Sequence, residues 1–319
     1  MNEKLSTFLK QHIRKNHTVV IGVSGGPDSV YLLHQCLEFK KVHPFKIVIA
    51  HLNHKLRLKE SDRDASFVKS LARSYKLPFH LGIITKLPKG NLEEICRIKR
   101  YEFFEKIRKK TNADWVLTAH HQNDNIETVI FNMIRGSFLG GIKGMSASIP
   151  ERHLLRPLLT TSKREILHYL KSHRLPFFQD SSNNDLSFSR NILRKKVIPV
   201  FQKINPNFEE TFSKNLVNFQ QTEFFLEKTV NVWIKKYTLE KGIPLSAFLR
   251  LENILQKLII AQLYKKLYGA ITKFNRKHLE QILITLASQK KNNKKDFGNT
   301  YYIVITSANG KKFISFIKK

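Results

Sequence analysis

One short stretch of the chain combines glycine, hydroxyl and carboxylate groups at a spacing suited to phosphate chemistry. Residues 22–29 read Gly-Val-Ser-Gly-Gly-Pro-Asp-Ser, between an apolar run, Thr18 to Val23, and a stretch with helical spacing of apolar residues. A strand that ends in a Ser-Gly-Gly turn and restarts as a helix directs several backbone N–H groups and the positive helix end at one point. We therefore expect nucleotide phosphates to bind this loop, on Ser24, Gly25, Gly26, Pro27, Asp28 and Ser29. Considered alone, such a loop can also be ordinary packing without a ligand.

Another polar segment directly follows the second predicted strand. It reads Ala50-His51-Leu52-Asn53-His54-Lys55-Leu56-Arg57. Imidazole and guanidinium groups at a strand end can hold a phosphate or a developing negative charge. A metal site at the two histidines is not favoured, since no Cys or further His lies nearby at ligand spacing.

A third segment, after the fourth predicted strand, carries a pair of carboxylates. It reads Thr118-Ala119-His120-His121-Gln122-Asn123-Asp124-Asn125-Ile126-Glu127-Thr128. Asp124 and Glu127 are three residues apart at the start of a predicted helix, so they share one face and could hold a metal ion or take up a proton. The alternative, that Asp124 caps the helix and Glu127 complements its dipole, stays open.

The first 200 residues alternate between strand and helix patterns. Strands are predicted over the runs Thr18–Val23, Lys46–His51, Phe79–Ile84 and Trp115–His120. Capping chemistry predicts helices that begin at Ser61 with Asp64, at Asn91 with Glu94 and at Ser162 with Glu165. This order predicts an α/β fold with a doubly wound, mainly parallel sheet. Because ligands gather at the carboxyl ends of such strands, the segments after the first, second and fourth strands should converge on one crevice.

The pattern changes around residue 205. We expect a long amphipathic helix from Phe208 to Tyr237, helical stretches over about 246–268 and 275–288, and a basic loop from Lys290 to Lys295. An Asn309-Gly310 turn between two β-type runs predicts a terminal hairpin. The domains are therefore predicted as 1–204 and 205–319, the second smaller, mainly helical and ending in a β-hairpin.

Composition bounds the partners and the compartment. The chain has 56 Lys and Arg against 25 Asp and Glu, a formal charge of +31, which attracts polyanions such as nucleic acid. Part of this charge is expected to be ordinary solvated surface. Lys, Asn, Ile and Phe are all abundant, a pattern that the base composition of a genome can produce without any selection for binding. No long apolar run or interfacial helix is recognised, so we expect no membrane partner. Cys36 and Cys96 form no paired motif, which favours a reducing, cytoplasmic compartment.

The loop at residues 24–29 resembles the Ser-Gly-Gly-x-Asp-Ser signature of the PP-loop pyrophosphatases, Rossmann-like enzymes that cut ATP between its α and β phosphates. The segments at 50–57 and 118–128 are similar to two patterns of one PP-loop family, the tRNA(Ile)-lysidine synthetases: Ala-His-x-Asn-His-x-Leu-Arg and Thr-Ala-His-His-x-Asp-Asp-x-x-Glu-Thr. Further matches, in the same order, lie at 94–101, 135–145, 156–159 and 180–194. Asn123 stands where the family has the first Asp, and Phe138 where it usually has Gly. Motif similarity to the family's second domain is weak over 208–319, and the third domain of longer members has no expected counterpart.

This resemblance implies an activity. A lysidine synthetase uses ATP and Mg²⁺ to adenylate the carbon-2 oxygen of the first anticodon cytidine of isoleucine tRNA, and free L-lysine then replaces it. The implied catalytic residues are Asp28, Asp124 and Glu127, with Asp28 and Asp124 also holding the metal. The implied ATP-binding residues are the loop at 24–29, His51, His54, Arg57 and His120. The implied substrate-binding residues are Asn53, Arg97, Arg100, Tyr101, Arg156, Asp180, Asn183, Arg190, Asn191 and Arg194.

Other functions remain in view from the sequence. A PP-loop tRNA sulfur-transferase shares the nucleotide chemistry but typically needs paired cysteines, and a small-molecule synthetase would leave the high charge without a purpose. A tRNA-binding protein without catalysis is the alternative from a different class. The oligomeric state is open, a homodimer included.

Overall fold

The computed structural model describes residues 2–55, 59–85, 90, 92–137, 139–178, 189–269, 276–290 and 293–319. They form two compact units, one of residues 1–132 and 144–215 and the other of residues 133–143 and 216–319. The second division falls inside a helix that spans residues 208–237. The domain limits inferred above, 1–204 and 205–319, stay a prediction.

Helices account for most of the described chain. They are α1 Glu3–His12, α2 Pro27–Val42, α3 Lys59–Ser74, α4 Leu92–Lys110, α5 Gln122–Ile134, α6 Leu139–Ile142, α7 Lys163–Ser172, α8 Ser189–Ile192, α9 Ile198–Ile204, α10 Phe208–Tyr237, α11 Leu245–Leu249, α12 Asn253–Tyr268 and α13 Arg276–Ala287. A 3-10 turn covers Pro150–Arg152, and a π-helical turn, Leu193–Val197, joins α8 to α9.

Among the described residues, ten strands form two separate sheets. They are β1 Thr18–Gly22, β2 Lys46–Asn53, β3 Phe79–Ile83, β4 Trp115–Leu117, β5 Ser148–Ile149, β6 Leu154–Leu155, β7 Ile243–Pro244, β8 Lys294–Phe297, β9 Tyr301–Ala308 and β10 Lys311–Lys318.

The first unit has a six-stranded sheet in the order β3-β2-β1-β4-β6-β5, parallel except for β5. In the register, Val20 lies opposite Val48 on one side and Val116 on the other, and all three are buried. The predicted α/β class with a mainly parallel sheet is therefore confirmed. The strands β2 and β4 flank β1 on opposite sides, so the order in which strands are added to the sheet reverses between β1 and β4. Open α/β sheets bind ligands at the carboxyl ends of the strands at such a switch point.

Local capping chemistry explains where the elements begin and end. The capping box predicted at Ser162 and Glu165 is present, and it starts α7 one residue later. The fourth strand is shorter than predicted and ends at Leu117. The Thr118 N–H still donates to the Leu155 carbonyl at 3.0 Å, and Thr118 Oγ1 lies 3.0 Å from His120 Nδ1. Residues 118–121, predicted in part as strand, form a loop.

The second unit contains more β-structure than a hairpin. The predicted hairpin of β9 and β10 is present, but β7 and β8 flank it in a four-stranded antiparallel sheet, in the order β7-β10-β9-β8. Part of the expected basic loop forms β8, which ends in the buried Phe297. The single helix expected over 246–268 is divided into α11 and α12, since the chain bends at Leu251, whose carbonyl accepts from Gln256 Nε2.

Within the described part of the chain, no helix combines the length and the apolar character that crossing a membrane requires.

Candidate active site

The loop at residues 24–29 is preformed by its own hydroxyl groups. The backbone N–H of Ser24 donates to Ser29 Oγ at 3.1 Å, and that hydroxyl donates to the Gly26 carbonyl at 2.9 Å. The Gly26 N–H is turned towards Ser24 Oγ at 3.3 Å. Gly25 has φ +92°, a conformation that L side chains rarely adopt, so glycine is required there. The loop is therefore held in one shape before any ligand arrives.

The amino end of α2 opens towards this loop. Gly26 occupies the N-cap position without a capping side chain, and Pro27 has no N–H to satisfy. The N–H groups of Asp28 and Ser29 find no backbone acceptor within the described residues. Free amides and a positive helix end at one place make a site for an anion such as phosphate.

His121 joins two carboxylates of the site. Its Nε2 lies 3.6 Å from Asp28 Oδ1 and 3.6 Å from Asp124 Oδ2. It also caps α5, since its N–H donates to Asp124 Oδ2 at 3.0 Å and its Nδ1 faces the Asp124 N–H at 3.4 Å. Asp124 therefore takes part in capping α5 and also lies near Asp28, because both carboxylates are close to His121. No role is predicted for His121 from the sequence, although its place beside His120 in the motif is a usable signal.

Arg194 holds the second carboxylate of α5. Its Nε and one terminal nitrogen each donate to Glu127 at 2.7 Å, and the same terminal nitrogen lies 3.5 Å from Asp124 Oδ1. The Glu127 side chain is only 4% exposed, whereas that of Asp124 is 26% exposed. Of these two carboxylates, Asp124 is therefore the one that a ligand can reach.

The two carboxylates also differ in acidity. Burial raises the pKa of Glu127, although Arg194 opposes the change. Burial would raise the pKa of Asp124 too, but the imidazoles of His121 and His120, the His121 N–H and Arg194 together lower it. Asp124 is consequently ionised at neutral pH.

Lys163, at the first position of α7, reaches the phosphate-loop carboxylate. Its Nζ lies 2.5 Å from Asp28 Oδ1, while its backbone N–H donates to Asn123 Oδ1 at 2.9 Å. Asn123 Nδ2 in turn donates to Glu209 Oε1 at 2.6 Å. Asn123 therefore needs an acceptor and a donor at once, which an amide supplies and an ionised carboxylate does not. Lys163 and Glu209 were missed because each resembles an ordinary charge in the first turn of a helix.

Three imidazoles of the site have pKa values below the ordinary range. Burial lowers the pKa of His51, whose Nδ1 lies 2.8 Å from the Val23 carbonyl. Burial lowers the pKa of His54 to about 4, with Arg100 and His51 adding to the shift. Burial also lowers the pKa of His120 to about 4, against the opposing charge of Asp124. At neutral pH these groups are uncharged and act through hydrogen bonds.

Two buried polar atoms near these imidazoles lack hydrogen-bond partners in the described structure: His54 Nδ1 and Arg156 Nε. The remaining nitrogens of Arg156 donate to the Ser146 carbonyl at 2.9 Å and to the Tyr101 hydroxyl at 3.4 Å. The charge of Arg156 also contributes to the low pKa of His120. These atoms have hydrogen-bonding capacity left for a ligand.

Several predicted site residues have contacts of other kinds or lie outside the described residues. Asn53 is buried and donates to the Ser61 carbonyl and to Asp62, so it links the end of β2 to α3. Arg97 pairs with Glu94 on α4 and, with a smaller contribution from Arg190, lowers the pKa of Glu94. Asn191 is buried in α8. Arg57, Asp180 and Asn183 lie outside the described residues, as does Phe138.

The donor set fits a magnesium ion that is shared with phosphates. Among the described residues no group of three or more His, Cys, Asp or Glu side chains is arranged as a complete metal site. Mg²⁺ usually takes one or two carboxylates and completes its shell with phosphate oxygens and water. Asp28 and Asp124, both partly exposed and both next to His121, supply such a pair.

The family follows from a comparison with known proteins. The profile of the PP-loop domain matches residues 1–201. The chain belongs to the PP-loop family. A tRNA(Ile)-lysidine synthase of Bacillus cereus (strain ATCC 10987 / NRS 248) is 33% identical over 305 residues, 88% of this chain and 62% of the relative. One of Thermosipho africanus is 35% identical over 225 residues, 69% of this chain and 52% of the relative. The chain thus spans less than two thirds of either relative.

A solved structure supports the fold. The U34-tRNA thiolase NcsA of Methanococcus maripaludis, with its 4Fe–4S cluster, superposes with a TM-score of 0.58 at 16% identity. The match covers 68% of this chain and 76% of the thiolase. At this identity the likeness concerns the PP-loop fold alone.

Proposed function

We propose that this PP-loop chain ligates lysine to carbon-2 of the first anticodon cytidine of isoleucine tRNA, at the expense of ATP. The similarity to proteins named tRNA(Ile)-lysidine synthase, 33% over 305 residues, supports the substrates. The observation that carries the chemistry is the meeting of Asp28 and Asp124 on His121, next to an open helix end.

The first step is adenylation of the base. The carbon-2 oxygen attacks the α-phosphorus of ATP, the bond to the β-phosphate breaks, and pyrophosphate leaves. The N–H groups of Asp28 and Ser29 and the ammonium of Lys163 are placed to stabilise charge on the departing phosphates. Mg²⁺ held by Asp28 and Asp124 would neutralise part of the same charge.

The second step is substitution by lysine. The ε-nitrogen attacks carbon-2, the bond from carbon-2 to oxygen breaks, and AMP leaves with that oxygen. Because a lysine ammonium has a pKa near 10.4, it must first lose a proton. We assign Asp124, which is ionised and partly exposed, as the acceptor of this proton. Glu127 is paired with Arg194 and orients that guanidinium.

The tRNA partner suits the charge of the chain, since +31 favours a polyanion. Sulfur transfer is a weaker candidate. The chain contains two cysteines, Cys36 and Cys96, and both are buried. Burial raises the pKa of each thiol, that of Cys36 to about 12, so neither is a ready nucleophile.

Purified chain mixed with ATP, radiolabelled lysine and isoleucine tRNA transcript tests the proposal. We expect pyrophosphate release that depends on the tRNA, and label in the tRNA. Pyrophosphate without label would indicate a different PP-loop ligase. Binding of tRNA without pyrophosphate would indicate a protein that has no catalytic role. Asp28→Ala should abolish turnover and leave tRNA affinity largely intact; retained turnover would refute the role of Asp28.

A further inference from the structure

Helix α10 presents two neighbouring phenylalanines to solvent in the second unit. Phe224 and Phe225 expose 68% and 66% of their surface. The opposite side of the same helix is buried through Val230 and Ile234, which pack into the core of that unit. Folding of the unit therefore does not require the two rings, and leaving them in water is unfavourable.

The surroundings of these rings are basic and polar. Exposed residues that recur every three or four positions form one ridge along the helix, which we name the outer face of α10. Its members are Gln221, Phe224, Phe225, Lys228, Val232 and Lys235. The ridge is about 21 Å long at 1.5 Å per residue, enough for several nucleotides.

The carboxylates of this part of α10 point away from the outer face. Glu223 accepts from Lys143 at 2.7 Å, and Glu227 accepts from Lys265 at 2.9 Å, all within the second unit. Lys228 and Lys235, in contrast, form no ion pair within the described residues. The outer face thus combines positive charge, aromatic rings and an amide, without a carboxylate.

We propose that the outer face of α10 binds an unpaired segment of the RNA substrate, with bases stacked on Phe224 and Phe225 and phosphates on Lys228 and Lys235. The inference rests on the proposed function, which supplies the RNA. Unpaired bases stack on exposed aromatic rings, and lysines follow the backbone charge. A polyanion also complements a chain whose formal charge is +31, whereas a second copy of the chain would bring lysines against lysines.

The test is the affinity of isoleucine tRNA transcript for the full chain and its variants. Removal of both rings in Phe224→Ala/Phe225→Ala should weaken binding by about 10-fold or more, since each stacked base contributes measurably. Phe224→Tyr/Phe225→Tyr, which keeps both rings, should bind like the unmodified chain. Ile284→Ala is the matched control, because Ile284 is 70% exposed on α13 and is not a member of this face, and it should leave affinity unchanged.

Charge is tested separately. Lys228→Glu should weaken binding and reduce the slope of log affinity against log salt concentration by at least about 1. Lys266→Glu, the same change on the exposed surface of α12, should have a smaller effect. The KM for tRNA should rise in the face variants while kcat at saturating tRNA stays the same.

Two results would overturn the inference. One is wild-type affinity in Phe224→Ala/Phe225→Ala. The other is a dimer in sedimentation that these substitutions convert to monomers at unchanged tRNA affinity, which would make the face a contact between copies. If the unmodified chain binds no tRNA, the proposed function itself fails, and this outcome is distinct from both.

Discussion

Asp28 has a cationic partner that its position in the chain does not reveal. Lys163 Nζ touches Asp28 Oδ1, and the phosphates of ATP would offer that ammonium a stronger acceptor. Lys163→Met keeps much of the side-chain length and removes the charge. We expect the KM for ATP to rise about 10- to 100-fold, since hydrogen bonds to charged groups contribute about 1.5–3 kcal/mol. Arg164→Met, on the next, exposed residue, is the control; an unchanged KM in Lys163→Met would rule out the contact with phosphate.

Asn123 departs from the lysidine-synthetase pattern that residues 118–128 resemble, and its contacts explain the departure. An aspartate there would place a second carboxylate against Glu209 and lose the 2.6 Å hydrogen bond. Asn123→Asp should therefore lower the free energy of unfolding by about 1–3 kcal/mol at pH 7. Adding Glu209→Gln restores a donor and should recover most of the loss. Urea denaturation of the unmodified chain, the two single variants and the double variant measures the coupling between positions 123 and 209. Purely additive changes in the free energy of unfolding would contradict this coupling.

The low pKa values of His54 and His120 predict a loss of stability in acid. Each is held near 4 in the folded chain, below its ordinary 6.5. Between these values the unfolded chain binds protons that the folded chain does not, so the free energy of unfolding falls as the pH is lowered through this window. His54→Gln/His120→Gln should flatten the fall. Urea midpoints measured from pH 7.5 to 4.5 test this, and an identical pH dependence in the double variant would contradict it.

The connection after α6 depends on a glycine whose surroundings leave no room for a side chain. Gly144 has φ +75°, and a Cβ there would overlap the Asn125 carboxamide, whose Oδ1 accepts from Met145 N–H at 2.6 Å. Gly136 has a similar φ of +71° but nothing within 4 Å of the same position. Gly136→Ala should cost about 1–2 kcal/mol, from the left-handed conformation alone.

Gly144→Ala should cost at least about 3 kcal/mol, because overlap adds to the same backbone strain. Thermal unfolding of both variants measures the difference. Equal destabilisation would mean that Asn125 can give way.

Most helices and strands were predictable from the sequence, whereas contacts between distant residues and two short or lysine-rich strands were not. The strand positions followed from buried β-branched runs, and the start of α7 from its capping box, because both are local signals. The role of Lys163 was not accessible, since it lies 135 residues from Asp28 in the chain. The strands β7 and β8 were missed because a two-residue strand and a lysine-rich one carry little apolar pattern.

For the whole molecule, charge is the dominant property, and it predicts how binding responds to salt. With a formal charge of +31, a large share of tRNA affinity should come from released counterions. Between 50 and 200 mM salt we expect the affinity to fall by at least about 100-fold. ATP affinity, set by a preformed loop, should change far less over the same range. Comparable salt dependence for both ligands would contradict this division.

Arg194 reaches the carboxylates of α5 from a π-helical turn, which holds one residue more than the helices on either side. Deleting one residue of that turn, such as Lys195, would let the segment rewind as a continuous α-helix. Because the π turn accommodates its extra residue, the helical segments on either side would keep nearly the same phase, and Leu193 and Ile198 would both stay in their shared apolar cluster, while the wide turn that carries Arg194 would be lost. A one-codon deletion at this point would thus displace the Arg194 guanidinium from the carboxylates while every residue with a chemical role remained in the sequence. A search for sequence motifs would not detect the damage.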